Sequence, residues 1–385
     1  MSGGPRRRDF ILIPLISIAT IVAMLGFAEM ASRVVFVETG KESCGAPDGN
    51  LATHFQPNCV SHRKSAEGPM VENAYNDCGY RTPTPCGRHD PGIVRVALMG
   101  TSTAQGFKVP YEETFAAQLT RELSRSCGRP VEFQNMGVAG ASFVDVWRRL
   151  DEALAMRPDL IMLVLSALEV RGGFDVAAVH RLAENAAAPA KPAEALPAAP
   201  LVARVSDFLS QSRALVVAQH FLFQDSATYA RLYLLHGEEA DYLRQPLSAS
   251  WHAHMDDFAR LLGEMAGKAR ERGIPLLLVW APTRVQASLV ASTARQPGTD
   301  PFAIGVEAAA VASRMDAAFV DTFPAMAEKR APDRFFYAVD GHMNGEGNAV
   351  FAASVEQRLR QGDLAPFAAC GTAGRDVAIS RPSPG

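Results

Sequence analysis

Residues 93–102 read IVRVALMGTS, an apolar run that ends in a glycine and is followed by two hydroxyl side chains. Short runs rich in β-branched and apolar residues are typical of strands buried on both faces. We therefore predict a strand from Ile93 to Met99, ending at Gly100. Four further runs are predicted to be strands: Val131 to Gln134, Leu160 to Leu165, Ile274 to Trp280 and Ala318 to Val320.

Segments with helical spacing separate these strands. The clearest are Thr114 to Leu123, Val144 to Ala155 and Gly345 to Leu359. Strands that alternate with helices indicate a parallel sheet covered by helices on both faces. The sequence therefore predicts an α/β fold, a three-layer α/β/α sandwich around a mostly parallel five-stranded sheet.

Composition and charge exclude several classes of protein. The chain has 385 residues, of which 48% are hydrophobic and 21% charged, as in ordinary globular proteins. Its formal net charge of -3 argues against a general nucleic-acid binder, which would carry a basic excess. The sequence has no Walker loop, no His-Glu-x-x-His motif and no zinc-type cysteine pairs, so neither a cofactor nor a metal is predicted.

The N-terminus contains a long uncharged stretch preceded by basic residues. Arg6 to Arg8 precede Phe10 to Ala28, which contains no charged residue and, at about 1.5 Å per residue, nearly spans a hydrocarbon core of ~30 Å. We predict a membrane anchor at residues 10–28, with the basic segment 1–9 in the cytoplasm and the rest of the chain exported. The alternatives are a signal peptide cleaved after Gly26-Phe27-Ala28 and a buried core helix. The anchor and the signal peptide both place the main domain outside the cytoplasm.

The cysteines agree with export. Six are present, and an even number in an exported chain indicates disulfides. Fifteen pairings are possible for six cysteines, and buried reduced thiols remain an alternative. The arrangement we favour uses local neighbours first: Cys44 with Cys59, Cys78 with Cys86, and Cys127 with Cys370.

Breaks in the pattern divide the chain into segments. Residues 29–90 are predicted to form a cysteine-containing linker or cap, with irregular structure and turns from residue 40 onward, followed by a main domain at 91–365. An insertion at about 172–250 interrupts that domain. It contains the Ala- and Pro-rich stretch Ala186 to Pro200 and an apolar helical stretch from Ser206 to Phe223. This insertion is either a lid, a partner surface or a helical decoration, and residues 366–385 are predicted to be a flexible tail.

Two short segments carry residues suited to nucleophilic chemistry. Ser102 follows the end of a predicted parallel strand, where ligands bind in such sheets. A serine hydroxyl needs a base, usually a histidine oriented by an acid. Asp340-Gly341-His342 precedes the last helix and supplies both side chains. Taken alone, each segment is better explained as an ordinary loop, with a serine in one and a solvated histidine in the other.

A third segment follows the second predicted strand. Asn135 to Ser142 contains Gly137 and Gly140, and glycines allow the backbone to approach a ligand closely. A backbone N–H at this place is suited to binding an oxyanion.

Together these segments resemble the SGNH, or GDSL-type, hydrolase family. Gly100-Thr101-Ser102 stands in place of the usual Gly-Asp-Ser, and the other two segments follow in the family order. Asn76 to Arg81 and Ala28-Glu29 are similar to segments of membrane-anchored bacterial members. The resemblance implies a flavodoxin-like fold, with Ser102 as nucleophile, His342 as base and Asp340 orienting it. The N–H groups of Ser102 and Gly140 would then form the oxyanion hole.

One block departs from the family pattern. Where members have Gly-x-Asn-Asp after the third strand, this chain has Ser166-Ala167-Leu168-Glu169, so Leu168 replaces an oxyanion donor. We expect a serine-dependent esterase of the cell envelope, held in the inner membrane by residues 10–28 with its catalytic domain in the periplasm. Its substrate would be an acylated small molecule, lipid or polysaccharide. The alternatives are an O-acetyltransferase for exported polysaccharide and a non-catalytic envelope scaffold.

Overall fold

Strands and helices alternate along most of the chain in the computed structural model, which describes residues 9–40, 42–48, 51–87, 89–171, 173–177, 179–180, 212–292 and 296–371. The strands are β1 Gly45–Asp48, β2 Leu51–Phe55, β3 Val60–Lys64, β4 Met70–Ala74, β5 Val94–Gly100, β6 Val131–Asn135, β7 Leu160–Leu165, β8 Leu276–Trp280 and β9 Ala318–Asp321. The α-helices are α1 Asp9–Val35, α2 Ser102–Gln105, α3 Phe115–Cys127, α4 Phe143–Arg148, α5 Leu150–Ala155, α6 Ala167–Val170, α7 Arg213–Leu222, α8 Ser226–Tyr233, α9 Ala249–Glu271, α10 Arg284–Ala291, α11 Ala303–Arg314, α12 Phe323–Ala327 and α13 Gly345–Leu359. Short 3₁₀ helices lie at Tyr111–Glu113, Leu234–Leu243, Pro332–Phe335 and Ala365–Gly371.

The predicted five-stranded sheet is confirmed. Strands β5 to β9 form one sheet in the order β6-β5-β7-β8-β9, and every neighbouring pair is parallel. The chain crosses from β5 to β6 on one side and then to β7 on the other, so the order reverses at β5. Ligands bind outside the carboxyl ends of the strands at such a reversal. Ser102, the first residue of α2, lies directly beyond β5 at this point.

Alternate residues of the sheet face two separate cores. Ile161 and Leu163 of β7 pack in the core formed with α4, α5, α9 and α11. Met162 and Val164 pack on the opposite face, in the core formed with α3 and α13. Every residue of β7 is buried. This is why its sequence shows a continuous apolar run rather than alternation, and why three layers form.

The helix predicted from Val144 to Ala155 is divided in two. Helix α4 ends at Arg148 and α5 begins at Leu150, and Arg149 between them has φ -86° and ψ 4°. The Arg149 side chain is buried, and its guanidinium donates to the carbonyl oxygen of Met136 at 2.5 Å and to Glu152 at 2.8 Å. The apolar residues of α4 and α5 keep helical spacing on both sides of Arg149. The spacing in the sequence therefore did not reveal that the helix is interrupted there.

The prediction of irregular structure between residues 40 and 90 is wrong for two segments. Strands β1 and β2 form one antiparallel pair, and β3 and β4 form another. Polar contacts hold part of this region together. The Glu42 carboxylate accepts from Ser61 Oγ at 2.7 Å and from Asn73 Nδ2 and Tyr75 Oη at 3.1 Å each. Because polar side chains occupy these positions, the apolar alternation that marks a half-buried strand is weak.

The disulfide arrangement favoured from the sequence is confirmed. The bonds are Cys44–Cys59, Cys78–Cys86 and Cys127–Cys370. The third joins the end of α3 to the 3₁₀ helix Ala365–Gly371, in which Phe367 is fully buried. Residues 366–371 thus differ from the flexible tail predicted there, and residues 372–385 lie outside the described part of the chain.

Helix α1 contains the apolar segment Phe10–Val35, which has a mean hydropathy of 2.5 and no buried residue. Its length and composition suit both a membrane span and a signal sequence. The basic residues before it lie outside the described residues, as does the stretch Ala186 to Pro200. Helix α7 is the described part of the helix predicted from Ser206 to Phe223.

Replacing both Cys127 and Cys370 by alanine is expected to destabilise the folded chain more than replacing Cys78 and Cys86. The first bond spans a sequence separation of 243 and the second only 8. In the chain-entropy model, stabilisation grows as 1.5RT ln n, so the longer loop contributes about 3 kcal/mol more. Urea unfolding of both double variants in the same detergent measures this difference, and equal midpoints for the two would contradict it.

Candidate active site

The turn after β5 presents Ser102 and requires a glycine before it. Gly100 has φ +153°, and a Cβ atom there would lie 2.4 Å from the carbonyl oxygen of Val164 and 2.7 Å from Ala104 Cβ. A larger residue would therefore push β5 away from β7 and distort the start of α2. Glycine allows the chain to leave the sheet and enter the helix within two residues.

Arg81 supports this turn from behind. It is almost fully buried, and its guanidinium donates to the carbonyl oxygens of Gln105, Gly106 and Val109 at 2.7–2.8 Å. Burial lowers the pKa of Arg81 to about 10, so the side chain remains charged at neutral pH. Arg81 belongs to the stretch Asn76 to Arg81, where the resemblance to membrane-anchored family members was noted, although its role was not predicted.

The three side chains proposed from the sequence as a triad lie together. Ser102 Oγ is 2.7 Å from His342 Nε2, and His342 Nδ1 is 2.5 Å from Asp340 Oδ1. With the ring proton on Nδ1, the imidazole donates to Asp340 and accepts from the Ser102 hydroxyl. Gly341 between them has φ +80°, a conformation that favours glycine.

The second oxygen of Asp340 is bound by Lys108, through a contact between Lys108 Nζ and Asp340 Oδ2. Burial by itself would raise the pKa of Asp340. The hydrogen bond with His342 and the positive charges of His342 and Lys108 outweigh burial and hold this pKa well below its usual value. Asp340 is therefore a carboxylate at any pH at which the protein would function.

Glu67 fixes the backbone of the loop that carries Asp340. Its carboxylate oxygens accept from the N–H of Val339 at 2.9 and 3.0 Å and from the N–H of Asp340 at 2.8 Å. The Glu67 side chain is only 4% exposed and also contacts His220 Nδ1 of α7 at 2.8 Å. Three donor groups therefore bind one buried carboxylate, which belongs to the cap. Glu67 in this way connects both the loop and α7 to residues 29–90.

Arg284 ties the insertion to the same loop. Its guanidinium donates to the carbonyl oxygens of Phe223 and Ala338 and lies 3.7 Å from the centre of the Tyr229 ring. Burial, as the largest effect, lowers the pKa of Arg284, while burial raises that of Tyr229. The insertion thus contributes part of the wall beside His342.

Two clefts meet at Ser102 and His342. One, of about 480 Å³, is lined on the insertion side by Gln219, Phe223 and Tyr229. The other, of about 670 Å³, is lined by Arg63, Phe107, Gly140 and Ser142. Gly140 is exposed with φ +84° and borders the second cleft beside Ser102.

Leu168 occupies the place expected for an asparagine donor. Its side chain is 41% exposed and borders both clefts. The neighbouring Glu169 is engaged in holding the turn, accepting from Thr101 Oγ1 and from the N–H and Oγ of Ser166, each at 2.7 Å. Arg171 borders both clefts and pairs with Glu239 at 3.5 Å.

The residues that support the triad were not found from the sequence. Glu67, Lys108 and Arg284 are single charged residues in segments without a motif, and their main partners are backbone groups or side chains far away in the chain. In contrast, the strand ends and the Asp340-Gly341-His342 segment pointed to Ser102, Asp340 and His342, which the structure brings together.

No family model matches this chain, and no curated protein matches it. Solved structures similar to it include a lipolytic protein of the G-D-S-L family from Desulfitobacterium hafniense, 12% identical, covering 69% of this chain and 99% of its own, with a TM-score of 0.36. A lipase/acylhydrolase from Enterococcus faecalis is 15% identical over 71% of this chain and 98% of its own, with a TM-score of 0.38. A mutant of an acetyl-xylooligosaccharide esterase from Geobacillus is 11% identical over 70% of this chain and 94% of its own, with a TM-score of 0.39.

The first of these descriptions names the family that the sequence motifs resemble. The identities and TM-scores are low, so the function proposed below rests on the side chains of this chain.

Replacing Glu67 by glutamine is expected to lower kcat for a small ester by about tenfold, equivalent to ~1.4 kcal/mol in the barrier, with KM little changed. Glutamine offers one acceptor oxygen instead of two, so the loop carrying Asp340 loses part of its support. Glu72→Gln is the matched control, since Glu72 is 61% exposed and contacts His62 at 3.1 Å. Equal kcat values for wild type and Glu67→Gln, measured with unchanged thermal stability, would contradict this positioning role.

Proposed function

We propose that this protein is a serine-dependent ester hydrolase of the SGNH type. The observation that supports it most directly is the continuous contact from Ser102 Oγ to His342 Nε2 and from His342 Nδ1 to Asp340. A nucleophile, a base and an orienting acid in this order are what acyl transfer through serine requires.

In the proposed reaction, Ser102 Oγ attacks the ester carbonyl carbon while His342 Nε2 takes the hydroxyl proton. The tetrahedral intermediate collapses, and the leaving alcohol takes that proton from His342. Water then attacks the carbonyl carbon of the acyl-enzyme and gives a proton to His342. His342 returns this proton to Ser102 Oγ as the carboxylic acid is released. Throughout, the Asp340 carboxylate orients the imidazole and stabilises its cationic form.

The oxyanion would be bound by the backbone N–H groups of Ser102 and Gly140. Leu168 has no donor to offer, and the loss of one such donor typically costs about 100- to 1000-fold in rate. We therefore expect a slow enzyme on simple esters.

The proposed location is the outer side of a bacterial inner membrane. Helix α1 would span the bilayer from residue 10, with residues 1–9 in the cytoplasm and residues 91–365, which carry the site, in the periplasm. Three disulfides support an oxidising compartment. Acylated lipid or polysaccharide of the envelope is the substrate class that this location favours.

One observation favours O-acetyl transfer as a second candidate. Separate clefts approach Ser102 and His342 from two sides, so an acyl donor and a sugar acceptor have separate routes to the same serine. Release of acetate in water, compared with ester formation when oligosaccharide is added, distinguishes hydrolysis from transfer. A non-catalytic scaffold has no need for a buried, ionised Asp340 aligned on His342.

A fluorophosphonate probe is expected to label the full-length chain in detergent, and Ser102→Ala is expected to abolish labelling. Loss of a triad residue typically lowers kcat by ~10⁴-fold or more, so hydrolysis of p-nitrophenyl acetate should fall to background. Ser142→Ala is the matched control, since Ser142 borders the same cleft as Ser102. Labelling that survives Ser102→Ala, or a folded wild type that is never labelled, would rule out the enzyme.

Replacing Leu168 by asparagine is expected to raise kcat on small esters by at least ~10-fold, because an amide donor would be restored to the oxyanion side. Leu168→Ala removes the same side chain without adding a donor and should give no comparable gain. If alanine and asparagine change kcat equally, the leucine acts by occupying space, and the missing donor is not what limits the rate.

A further inference from the structure

Helix α7 is attached to the end of α1. The Glu29 carboxylate of α1 accepts from Ser212 Oγ at 2.8 Å and from the N–H groups of Arg213 and Ala214 at 3.1 and 3.0 Å. A negative charge at the first turn of a helix is stabilising, because it satisfies free N–H groups and faces the positive end of the dipole. The start of α7 is therefore fixed at Glu29.

Further contacts hold α7 to the chain that follows Glu29. The His220 ring lies 5.2 Å from the Phe36 ring in an edge-on arrangement. Arg213 forms an ion pair with Glu38. Helix α7 thus lies beside the last turns of α1 and the residues directly after them, and we call these two elements the α1–α7 pair.

The length of α1 determines how far along the bilayer normal the α1–α7 pair lies. Phe10–Val35 has 26 residues, about 39 Å at a rise of ~1.5 Å per residue. A hydrocarbon core is about 30 Å thick, or about 40–45 Å with its headgroup layers. When the apolar residues from Phe10 fill the core, Glu29 and the following turns lie in the outer headgroup layer, and α7 lies there with them.

The outer surface of α7 is apolar. Leu215, Phe221 and Leu222 are 37%, 65% and 49% exposed, and Ala218 between them is also exposed. Positions 215, 218 and 222 fall on one face of a helix. Exposed apolar side chains of α1, Met30 at 66% and Val34 at 76%, lie at the same level.

Charges in the same region are paired. Arg33 contacts Glu29 at 2.8 Å, and Arg213 pairs with Glu38. Paired charges are less costly to move into a partly dehydrated layer than isolated ones. An amphipathic helix whose apolar face is exposed beside a membrane span is typical of an interfacial helix.

We propose that α7 inserts Leu215, Phe221 and Leu222 into the outer headgroup layer of the membrane that α1 spans. This inference rests on the membrane location proposed above. Helix α7 also carries Gln219, which lines the smaller cleft beside Ser102, and Phe223 of that cleft directly follows it. The α1–α7 pair thereby holds the mouth of this cleft at the lipid surface, where membrane-borne esters are presented.

Tryptophan fluorescence of the full-length chain tests this insertion. Phe221→Trp is reconstituted into vesicles of phosphatidylcholine and phosphatidylglycerol, with and without bromines near the start of the acyl chains. Val306→Trp is the matched control, since Val306 is 67% exposed on α11. The signal of the wild type, with Trp147, Trp251 and Trp280, serves as the baseline. We expect a blue shift and bromine quenching for Phe221→Trp, and neither for Val306→Trp.

The possible results separate this inference from the proposal on which it rests. Vesicle-bound protein whose added tryptophan at 221 is not quenched would overturn the insertion of α7 while leaving the membrane span intact. A blue shift without quenching would mean that protein, such as a second copy of this chain, covers α7, and this also overturns it. A chain that does not float with vesicles overturns both the span and the insertion. Fluorophosphonate labelling of each variant reports the state of Ser102 independently.

Discussion

The contact between Ser102 Oγ and His342 Nε2 is only 2.7 Å long but joins residues 240 positions apart in the chain. It forms only if two loops at the same edge of the sheet are fixed relative to each other. Helices α3 and α13, which follow the first and the second of these loops in the chain, provide this constraint. Phe115 at the start of α3 packs against Phe351 of α13, with ring centres 4.8 Å apart, and the Phe115 N–H donates to Asn348 Oδ1 at 3.1 Å. Packing between α3 and α13 on one face of the sheet thus fixes the distance between Ser102 and His342 at the carboxyl edge of the sheet.

Buried charges around the site are stabilised by fixed dipoles as much as by opposite charges. Arg81 is bound by three carbonyl oxygens, Arg284 by two, and Glu67 by two backbone N–H groups and a histidine. Burying a charge without partners is costly, so each of these side chains fixes the loop that supplies its partners. The same arrangement leaves Asp340 in contact with the Lys108 ammonium group and the His342 ring, which keeps it ionised and aligned on His342.

The sequence predicted the parts of this architecture that depend on local pattern. Leu160 to Leu165 is continuously apolar because both faces of β7 are buried, and the run identified the strand to the residue. The β3–β4 pair was missed because polar side chains that contact Glu42 occupy positions where apolar residues would show alternation. Ser102 and His342 were found because strand ends and a short Asp-Gly-His segment are visible locally. Glu67 and Arg284 were not, because a charge bound to the backbone of a distant loop leaves no trace in its own neighbourhood.

Residues 29–90 were interpreted from the sequence as a linker or cap, yet both halves of the candidate site depend on them. Arg81 binds the carbonyl oxygens behind Ser102, and Glu67 binds the N–H groups of the loop that carries Asp340. Glu67 also contacts His220, whose helix is fixed to Glu29 at the end of α1. A series of hydrogen bonds and packed rings therefore connects the apolar N-terminal helix, the cap and the loop of the triad acid. Because the sheet supplies none of these contacts, the segments that carry Ser102 and Asp340 are held by the cap and by the described part of the insertion as well.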